Sequence, residues 1–491
     1  MHISPEKSLY IDGTYHHNPG TETFPNFNPA TGELLGTVLE ASQKETDLAV
    51  AAARAGFKIW SAMPGTERGR ILKKAAEILR KRNDEIAKIE ALDTGKVIQE
   101  TSTVDVSSGA DALEYYGGIA ATIHGHHYDL GGNFAYTRRE PLGVCAGIGA
   151  WNYPIQIACW KSAPALACGN TMIFKPAEQT PMTALFLAEV YTEAGLPPGV
   201  FNVIQGAARV GQSLSKHPQI AKVSLTGEAE TGKKVMADAA SNLKQVTMEL
   251  GGKSPLIIFP DAPIDQAVSI TLAANFYTQG EVCSNGTRVF VHKSIEKEFA
   301  EKLSEKTKQI RLGDPMEASS QMGALISHEH YDKVISYIRK GQEEGADILC
   351  GGPEKPKHLK GSKFENGYFV LPTIFGNCQD NMTIVKEEIF GPVVTLLSFT
   401  DEEEVVSRAN NTDFGLAAGV VTKDLQRAHR VVSQLEAGIC WINNYNLTPL
   451  EIPFGGYKHS GIGRENGPAA IEHYTQLKSI YVELGEVTSP F

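Results

Sequence analysis

The stretch LTGEAETG (residues 225–232) has the pattern of a strand that turns into a helix. The run 222–225 predicts a buried strand that ends at Gly227, and a helix is expected from about Thr231. A turn of this kind joins backbone N–H groups to the start of a helix, which suits a bound pyrophosphate. An ordinary capped turn has the same pattern, and the residues alone leave the two alternatives even.

The same alternation of short strands and helices continues along the chain from about residue 140. It predicts an α/β layer fold, and 491 residues exceed what one hydrophobic core supports, so two or more domains are expected. The helix near 180–195 is expected to have Thr180 as N-cap, Pro181 in its first turn and Gly195 just past its end. Residues 351–367 are expected to form an exposed loop. Further strands are predicted at 171–174, 200–204, 255–259, 393–399 and 417–421, and further helices at 295–310, 328–343 and 424–436.

Composition narrows the class of protein. The net charge of −11 argues against nonspecific binding to nucleic acid or anionic membranes. No run of about 18 apolar residues predicts a membrane span, and residues 1–7 lack the apolar core of a signal peptide. Seven cysteines without a Cys-x-x-Cys pair predict neither a disulfide framework nor a structural zinc site. A cytoplasmic protein with no nucleic-acid or membrane partner is expected.

Two segments carry groups that suit chemistry on an aldehyde. GEVCSNGTR (280–288) holds a cysteine among small residues, and ELGGK (249–253) places a carboxylate before two glycines. A thiol nucleophile with a separate acid/base is what acyl chemistry needs, although the pair alone is only suggestive. The remaining cysteines are expected to be small core residues: Cys145, Cys159, Cys168, Cys350, Cys378 and Cys440.

With these two segments, AWNYP (150–154), FKPAEQTP (174–181) and EEIFGP (387–392) resemble the signature segments of the aldehyde dehydrogenase superfamily, in the same order and spacing. The resemblance covers nearly the whole chain. It implies a Rossmann-type cofactor domain (1–123 and 142–250) and a catalytic domain (251–469) whose C-terminal part returns to the cofactor domain. It also implies oligomerisation segments (124–141 and 470–491) in a homotetramer or homodimer.

The resemblance also implies roles for individual residues. Cys283 would attack the aldehyde, and the side-chain amide of Asn152 with the Cys283 N–H would stabilise the oxyanion of the thiohemiacetal. Glu249 would activate the water that hydrolyses the thioester, and Lys161 would lie near the site.

A cofactor site is implied in the same way. The partial glycine motif at 147–149 is weak, because Asn152 stands where the third glycine belongs. By resemblance, Lys175 and Glu178 bind the adenosine ribose, which favours NAD while leaving NADP open. A monovalent cation is not readable from the sequence. The other implied cofactor residues are Trp151, Gly227, Glu228, Glu388 and Phe390.

Two positions depart from the family pattern. Glu228 replaces a small residue, often serine, and either weakens cofactor binding or points to solvent. Glu281 replaces the more usual glutamine and is expected to raise the pKa of the Cys283 thiol.

Residues 143–170 and 455–466 most resemble the bacterial family members that oxidise betaine aldehyde. A quaternary ammonium cannot donate hydrogen bonds, so aromatic faces must recognise it. An ω-aminoaldehyde such as 4-aminobutyraldehyde is the alternative substrate. A non-catalytic binding or structural protein on the same fold is a remote alternative, supported only by Glu228. The expected aromatic box comprises Tyr153, Trp160, Tyr277 and Phe454.

Overall fold

The computed structural model describes residues 3–18 and 21–491. Met1 and His2, on which part of the signal-peptide expectation falls, lie outside them. Across the described ranges, no helix is both long and apolar enough to cross a membrane. The strands are β1 (Leu9–Ile11), β2 (Thr14–His16), β3 (Thr23–Phe27), β4 (Leu34–Leu39), β5 (His127–Asp129), β6 (Phe134–Pro141), β7 (Val144–Ile148), β8 (Thr171–Lys175), β9 (Phe201–Val203), β10 (Lys222–Thr226), β11 (Gln245–Glu249), β12 (Pro255–Ile258), β13 (Arg288–His292), β14 (Asp347–Gly352), β15 (Leu371–Gly376), β16 (Val393–Phe399), β17 (Phe414–Gly415), β18 (Ala417–Val421), β19 (Ile439–Ile442), β20 (Tyr457–Lys458), β21 (Gly461–Ile462) and β22 (Thr475–Val482).

The α-helices alternate with these strands over much of the chain. A π-helical turn, Thr101–Asp105, joins α4 to α5, and a 3-10 turn, Tyr277–Gly280, follows α10. The helices are α1 (Gln43–Trp60), α2 (Gly65–Lys81), α3 (Asn83–Thr94), α4 (Ile98–Glu100), α5 (Val106–Ile119), α6 (Pro154–Ala167), α7 (Thr183–Ala194), α8 (Ala208–Lys216), α9 (Ala229–Ala240), α10 (Ile264–Phe276), α11 (Glu296–Thr307), α12 (His328–Glu343), α13 (Thr383–Lys386), α14 (Glu402–Asn410), α15 (Leu425–Val432) and α16 (Ala469–Tyr474).

The first large sheet has the strand order β2-β1-β9-β8-β7-β10-β11-β21. Strands β9, β8, β7, β10 and β11 run parallel, so their carboxyl ends meet at one edge. Every residue of β7 and β8 is buried, as expected for parallel strands covered on both faces. The chain leaves β7 towards β8 on one side, while β10 lies on the other. This reversal creates a crevice at the carboxyl ends of β7 and β10, where open α/β sheets bind ligands.

The second large sheet has the order β14-β15-β16-β13-β12-β18-β19. Its strands are parallel except for the antiparallel edge pair β14 and β15. The chain therefore forms two α/β layers, as the alternation of strands and helices predicted.

A separate sheet of three antiparallel strands has the order β22-β6-β5. Strand β22 pairs along all of β6, from Thr475 opposite Pro141 to Val482 opposite Phe134. Strand β6 thus lies within the expected oligomerisation segment 124–141. Its partner comes from more than 300 residues later in the chain.

Several predicted boundaries were wrong by a few residues. Helix α7 begins at Thr183, not after an N-cap at Thr180. The Thr180 hydroxyl has no hydrogen-bond partner within residues 3–18 and 21–491, and the Asp93 carboxylate instead accepts the Met182 N–H at 3.1 Å. Gly195 ends the helix in the left-handed conformation as expected. Helices α11 and α15 are both shorter than predicted at each end, and α9 begins two residues earlier than expected. The expected loop 351–367 contains the end of β14 and a short 3-10 turn that includes the buried Leu359.

Candidate active site

Two cavities meet at one group of residues. One, of about 730 Å³, follows the crevice of the first sheet, and the other, of about 850 Å³, is lined by residues of α5, α6 and the loop 444–451. Both volumes fall in the range of small-molecule sites. Asn152, Thr226, Glu249 and Cys283 line both cavities. A molecule in either cavity therefore reaches the same thiol and carboxyl group.

The fold explains why these residues converge. Asn152 follows the carboxyl end of β7, and Glu249 is the last residue of β11, so both lie at the crevice edge of the first sheet. Cys283 lies in the loop that precedes β13 of the second sheet. The thiol thus comes from one sheet, and the carboxyl and amide groups come from the other.

The Cys283 thiol is held in its protonated form. Burial raises its pKa to about 12, and the neighbouring carboxylates of Glu388 and Glu249 act in the same direction. The expected contribution of Glu281 was wrong. Its carboxylate is buried and turned to the Ile326 N–H at 3.0 Å and to the Gln279 amide at 3.1 Å. A thiolate forms only when a neighbouring group accepts the proton.

Glu249 is the free carboxyl group of the site. It is buried, and neither of its oxygens has a hydrogen-bond partner among the described residues. Burial raises its pKa well above the usual value, and the nearby Glu465 raises it further, whereas Lys161 and Arg464 lower it. A carboxyl group with a raised pKa and free oxygens is suited to exchange protons with a substrate or water.

Lys161 is paired with Glu465. Its ammonium is buried and donates to the Glu465 carboxylate at 2.5 Å and to the Ser224 hydroxyl at 3.0 Å. Glu465 lines the second cavity beside Glu249. The predicted catalytic lysine is therefore placed as the partner of a second buried carboxylate.

The Asn152 side chain presents an amide to both cavities. In this arrangement its Nδ2 donates to the Glu281 carbonyl at 3.0 Å. An amide nitrogen carries two protons, so the second proton of Asn152 Nδ2 remains available as a hydrogen-bond donor.

The two glycines after Glu249 allow a close approach of three segments. A Cβ at Gly251 would overlap the Glu388 carboxylate, and one at Gly252 would crowd the Cys283 carbonyl. The Gly252 N–H donates to Glu388 Oε1 at 2.9 Å. Burial raises the pKa of Glu388 to about 7. The motif ELGGK thus fixes a carboxylate from residue 388 next to the thiol.

The first cavity contains the other expected cofactor residues. Lys175, at the end of β8, donates to the carbonyls of Pro176 and Gly206 at 2.8 and 2.5 Å and lies 3.6 Å from the half-exposed Glu178 carboxylate. Gly227 follows β10, and a Cβ there would make only ordinary contact with Leu225 at 3.7 Å, whereas a Cβ at Gly232 in α9 would overlap Leu250. The turn at residues 225–232 therefore lines the first cavity, with backbone alone at Gly227.

An aromatic cluster closes the other end of this cavity. The Trp151 ring is edge-on to Phe390 at 5.1 Å and tilted against His330 at 5.2 Å. Phe390 has φ of +61°, a conformation that is strained for a bulky residue. Its carbonyl accepts a hydrogen bond from His330 Nε2 at 2.6 Å, and burial lowers the pKa of His330 to about 4. The neutral imidazole thus holds the strained turn.

Glu228 lies on the rim of the first cavity and is largely exposed. It precedes α9, its side chain is 75% exposed, and its Oε1 lies 3.6 Å from Lys333 Nζ of α12, which is 38% exposed. Both residues line the cavity. Glu228 was expected either to weaken cofactor binding or to point to solvent. Its side chain is exposed to solvent, and it also lines the rim of the first cavity.

The second cavity contains all four residues of the expected aromatic box. The rings of Trp160 and Phe454 are edge-on at 5.9 Å. Tyr153 donates or accepts a hydrogen bond with the Thr278 hydroxyl at 2.8 Å, and one face of its ring is covered by Lys96 at 3.5 Å. Tyr277 is half-buried at the end of α10.

Sequence reasoning missed several residues of the two cavities. Carboxylates of Asp111, Glu114 and Glu451 line the substrate side, and Arg80 pairs with the first two at 2.6 and 2.5 Å. The spacing of Asp111 and Glu114 on one helix face was a signal that could have been used. His330, Lys333 and Glu465 had no comparable signal, because only tertiary packing brings them to the site.

Known proteins resemble this chain over nearly its whole length. Residues 16–480 match the aldehyde dehydrogenase family. Betaine aldehyde dehydrogenases of Brucella anthropi and Brucella ovis are each 56% identical over 491 residues, covering 100% of both chains. The NAD+ complex of a Bacillus cereus aldehyde dehydrogenase superposes with a TM-score of 0.94 at 41% identity, covering 97% of this chain and 96% of that one. Betaine aldehyde dehydrogenase of Staphylococcus aureus in complex with NAD+ gives 0.95 at 37% identity, covering 99% and 97%.

Proposed function

Since the chain belongs to the aldehyde dehydrogenase family, we propose that it oxidises betaine aldehyde to glycine betaine with NAD and water. The observation that carries this proposal is the junction of the two cavities at Cys283, Glu249 and Asn152. One cavity suits a dinucleotide and the other suits an aldehyde. Relatives with the betaine aldehyde dehydrogenase name support the substrate, and relatives with bound NAD+ support the cofactor.

The cofactor cavity fits NAD in several respects. It lies at the carboxyl ends of parallel strands where the strand order reverses, and backbone at Gly227 lines it without a side chain. Lys175 and Glu178 would hold the adenosine ribose, and Glu388 with Phe390 would hold the second ribose. The Glu178 carboxylate would repel a 2′-phosphate, which favours NAD over NADP. NAD, when bound, accepts the hydride that the tetrahedral carbon releases.

The reaction at the protein begins with the Cys283 thiol. Its proton passes to a neighbouring base, its sulfur bonds to the aldehyde carbon, and the oxyanion of the thiohemiacetal accepts hydrogen bonds from Asn152 Nδ2 and the Cys283 N–H. After oxidation to the thioester, Glu249 takes a proton from water, whose oxygen bonds to the acyl carbon. The carbon–sulfur bond breaks, Glu249 returns its proton to the departing sulfur, and the acid leaves with the thiol restored.

Aromatic faces and nearby carboxylates support a quaternary ammonium substrate. Trp160, Phe454, Tyr277 and Tyr153 surround the second cavity, and a cation over such rings gains about 0.5–2 kcal/mol at each favourable face. The carboxylates at its mouth, including Glu451, add long-range attraction for a cation.

An ω-aminoaldehyde remains the alternative substrate, because one observation favours it. Glu451, Asp111 and Glu114 provide carboxylate oxygens in the same cavity, and these can accept hydrogen bonds from a primary ammonium. A trimethylammonium group has no proton to donate to them.

We also infer a cytoplasmic homo-oligomer, dimer or tetramer, with the domain boundaries expected from the sequence. The three-stranded sheet and the segment after it expose large apolar side chains, which a second subunit would cover. These are Tyr128, Leu130, Leu477, Tyr481, Leu484, Val487 and Phe491. All seven cysteines are unpaired, which suits a reducing compartment.

Steady-state NADH production tests the proposal. Betaine aldehyde and 4-aminobutyraldehyde are compared at equal concentrations, with NAD and NADP in parallel. We expect the higher kcat/KM with betaine aldehyde and NAD. A preference for 4-aminobutyraldehyde supports the alternative, and no turnover of either aldehyde refutes both substrates.

A further inference from the structure

A charged cluster beneath the reaction site is not used by the proposed reaction. Lys96, Glu100 and Asp105 are buried, yet none of the three is among the residues that line the two cavities. Lys96 and Asp105 form an ion pair of 2.6 Å with side chains only 1% and 0% exposed. Removing charges from water is costly, so such a cluster calls for an explanation beyond packing.

Lys96 contacts Asn152 and Tyr153, the two residues just before α6. Besides Asp105, its ammonium donates to the Asn152 carbonyl at 3.1 Å and lies 3.5 Å above the Tyr153 ring. Asn152 presents the oxyanion amide, and Tyr153 forms one wall of the substrate cavity. The Lys96 ammonium therefore contacts both the proposed oxyanion donor Asn152 and the cavity residue Tyr153.

Glu100 holds the segment that leads to the nucleophile. Both of its oxygens accept the Thr278 N–H at 3.1 Å, and Oε2 also accepts the Thr278 hydroxyl at 3.2 Å. Thr278 and the next residue, Gln279, have φ of 50° and 41°, which is unusual for residues with a Cβ. Strained turns persist only where their surroundings fix them, and Glu100 supplies that constraint five residues before Cys283.

One hydroxyl connects the two halves. The Thr278 Oγ1 lies 2.8 Å from the Tyr153 hydroxyl, so a chain of hydrogen bonds runs from Glu100 through Thr278 to Tyr153. Asp105 ends the π-helical turn between α4 and α5, and an inserted residue of this kind is frequent at functional sites. The cluster thus links the aldehyde-binding wall to the nucleophile loop.

We infer that Lys96 and Glu100 are positioning residues that set the oxyanion donor Asn152 and the Cys283 loop in register through Tyr153 and Thr278. This inference rests on the proposed function, and it adds residues that touch neither substrate nor cofactor. Because the cluster lies behind the substrate wall, its loss acts on the acylation rate rather than on cofactor binding.

Substitutions at Thr278 test the link with little change in volume. Thr278→Val removes the shared hydroxyl and keeps a β-branched side chain, and Thr278→Ser restores the hydroxyl. Thr271→Val is the matched control: Thr271 is a buried threonine whose hydroxyl binds a helical carbonyl of Ala267, and it lines neither cavity. Lys96→Met tests the other half of the cluster.

Three quantities are measured: kcat with betaine aldehyde and with a neutral short aldehyde, the dissociation constant of NADH, and the rate of Cys283 alkylation by iodoacetamide. We expect Thr278→Val to lower kcat about tenfold with both aldehydes and to change the alkylation rate several-fold. Complete removal of one oxyanion donor lowers kcat on the order of 10²–10³-fold, and a donor that is only misplaced should lower it less. NADH binding should stay within twofold, and Thr278→Ser should recover most of the activity.

The inference is overturned if Thr278→Val behaves like Thr271→Val in kcat and alkylation, or if Thr278→Ser does not recover. If Lys96→Met does not fold, the threonine series decides alone. Alkylation needs no substrate, so a wild-type protein that oxidises neither aldehyde would refute the proposed function while the alkylation series still tests the cluster.

Discussion

Glu228→Ser is expected to tighten NAD binding. Glu228 brings a carboxylate to the rim of the cofactor cavity, where it lies 3.6 Å from Lys333. The substitution removes a negative charge that would face the pyrophosphate and frees the Lys333 ammonium to attract it. The Michaelis constant for NAD should therefore fall.

The magnitude follows from the geometry. Both side chains are substantially exposed, 75% and 38%, so the dielectric constant of water applies rather than that of the interior. A unit charge pair at this separation is then worth about 1 kcal/mol, and physiological salt reduces this to roughly 0.7 kcal/mol. This corresponds to about a threefold change for one such interaction, and to about tenfold if repulsion is lost and attraction is gained together.

Fluorescence titration with NADH and steady-state kinetics with NAD measure the effect at low and high salt. Glu230→Ser is the matched control, since Glu230 pairs with Lys233 on the same helix and does not line the cavity. An unchanged dissociation constant for Glu228→Ser, or an equal change for Glu230→Ser, would show that the carboxylate at 228 does not act on the cofactor. In Lys333→Met, the same reasoning predicts about threefold weaker binding.

Three further predictions concern the catalytic carboxyl groups and the exposed sheet. Glu249→Gln should give a burst of about one NADH per active site, followed by turnover slowed roughly 10²–10⁴-fold because water activation is lost. Rapid-mixing absorbance measures both phases, and turnover without a burst would contradict the assigned role of Glu249. Glu465→Gln should move the acidic limb of the profile of kcat against pH to lower pH. Glu465 raises the pKa of Glu249, and its loss leaves Lys161 to lower that pKa, so Glu249 is deprotonated at lower pH. A shift of the limb to higher pH would contradict this reasoning. Leu477→Asp should reduce the mass measured by light scattering, because it places a charge on the apolar face that we expect a second subunit to cover, and an unchanged mass would place the subunit contact elsewhere.

Much of the fold was predictable because its signals are local. The alternation of apolar runs and helical periods gave α12, β16 and β18 with their observed bounds, since each element is decided by its own residues. Gly195 was recognised as a helix end for the same reason. Thr180 was misjudged as an N-cap because the helix begins three residues later, where Asp93, distant in sequence, accepts the N–H of the N-cap residue Met182.

The candidate site divides in the same way. The sequence by itself determined the candidate reactive groups, because a thiol at Cys283, a carboxyl at Glu249 and an amide at Asn152 follow from residue identity and motif. Only the tertiary structure decided what those groups face. The Glu281 carboxylate accepts the Ile326 N–H, Glu228 lies near Lys333, and the Lys96 ammonium lies over the Tyr153 ring. Each of these contacts joins residues far apart in the chain, so its energy depends on packing and burial that no local pattern records.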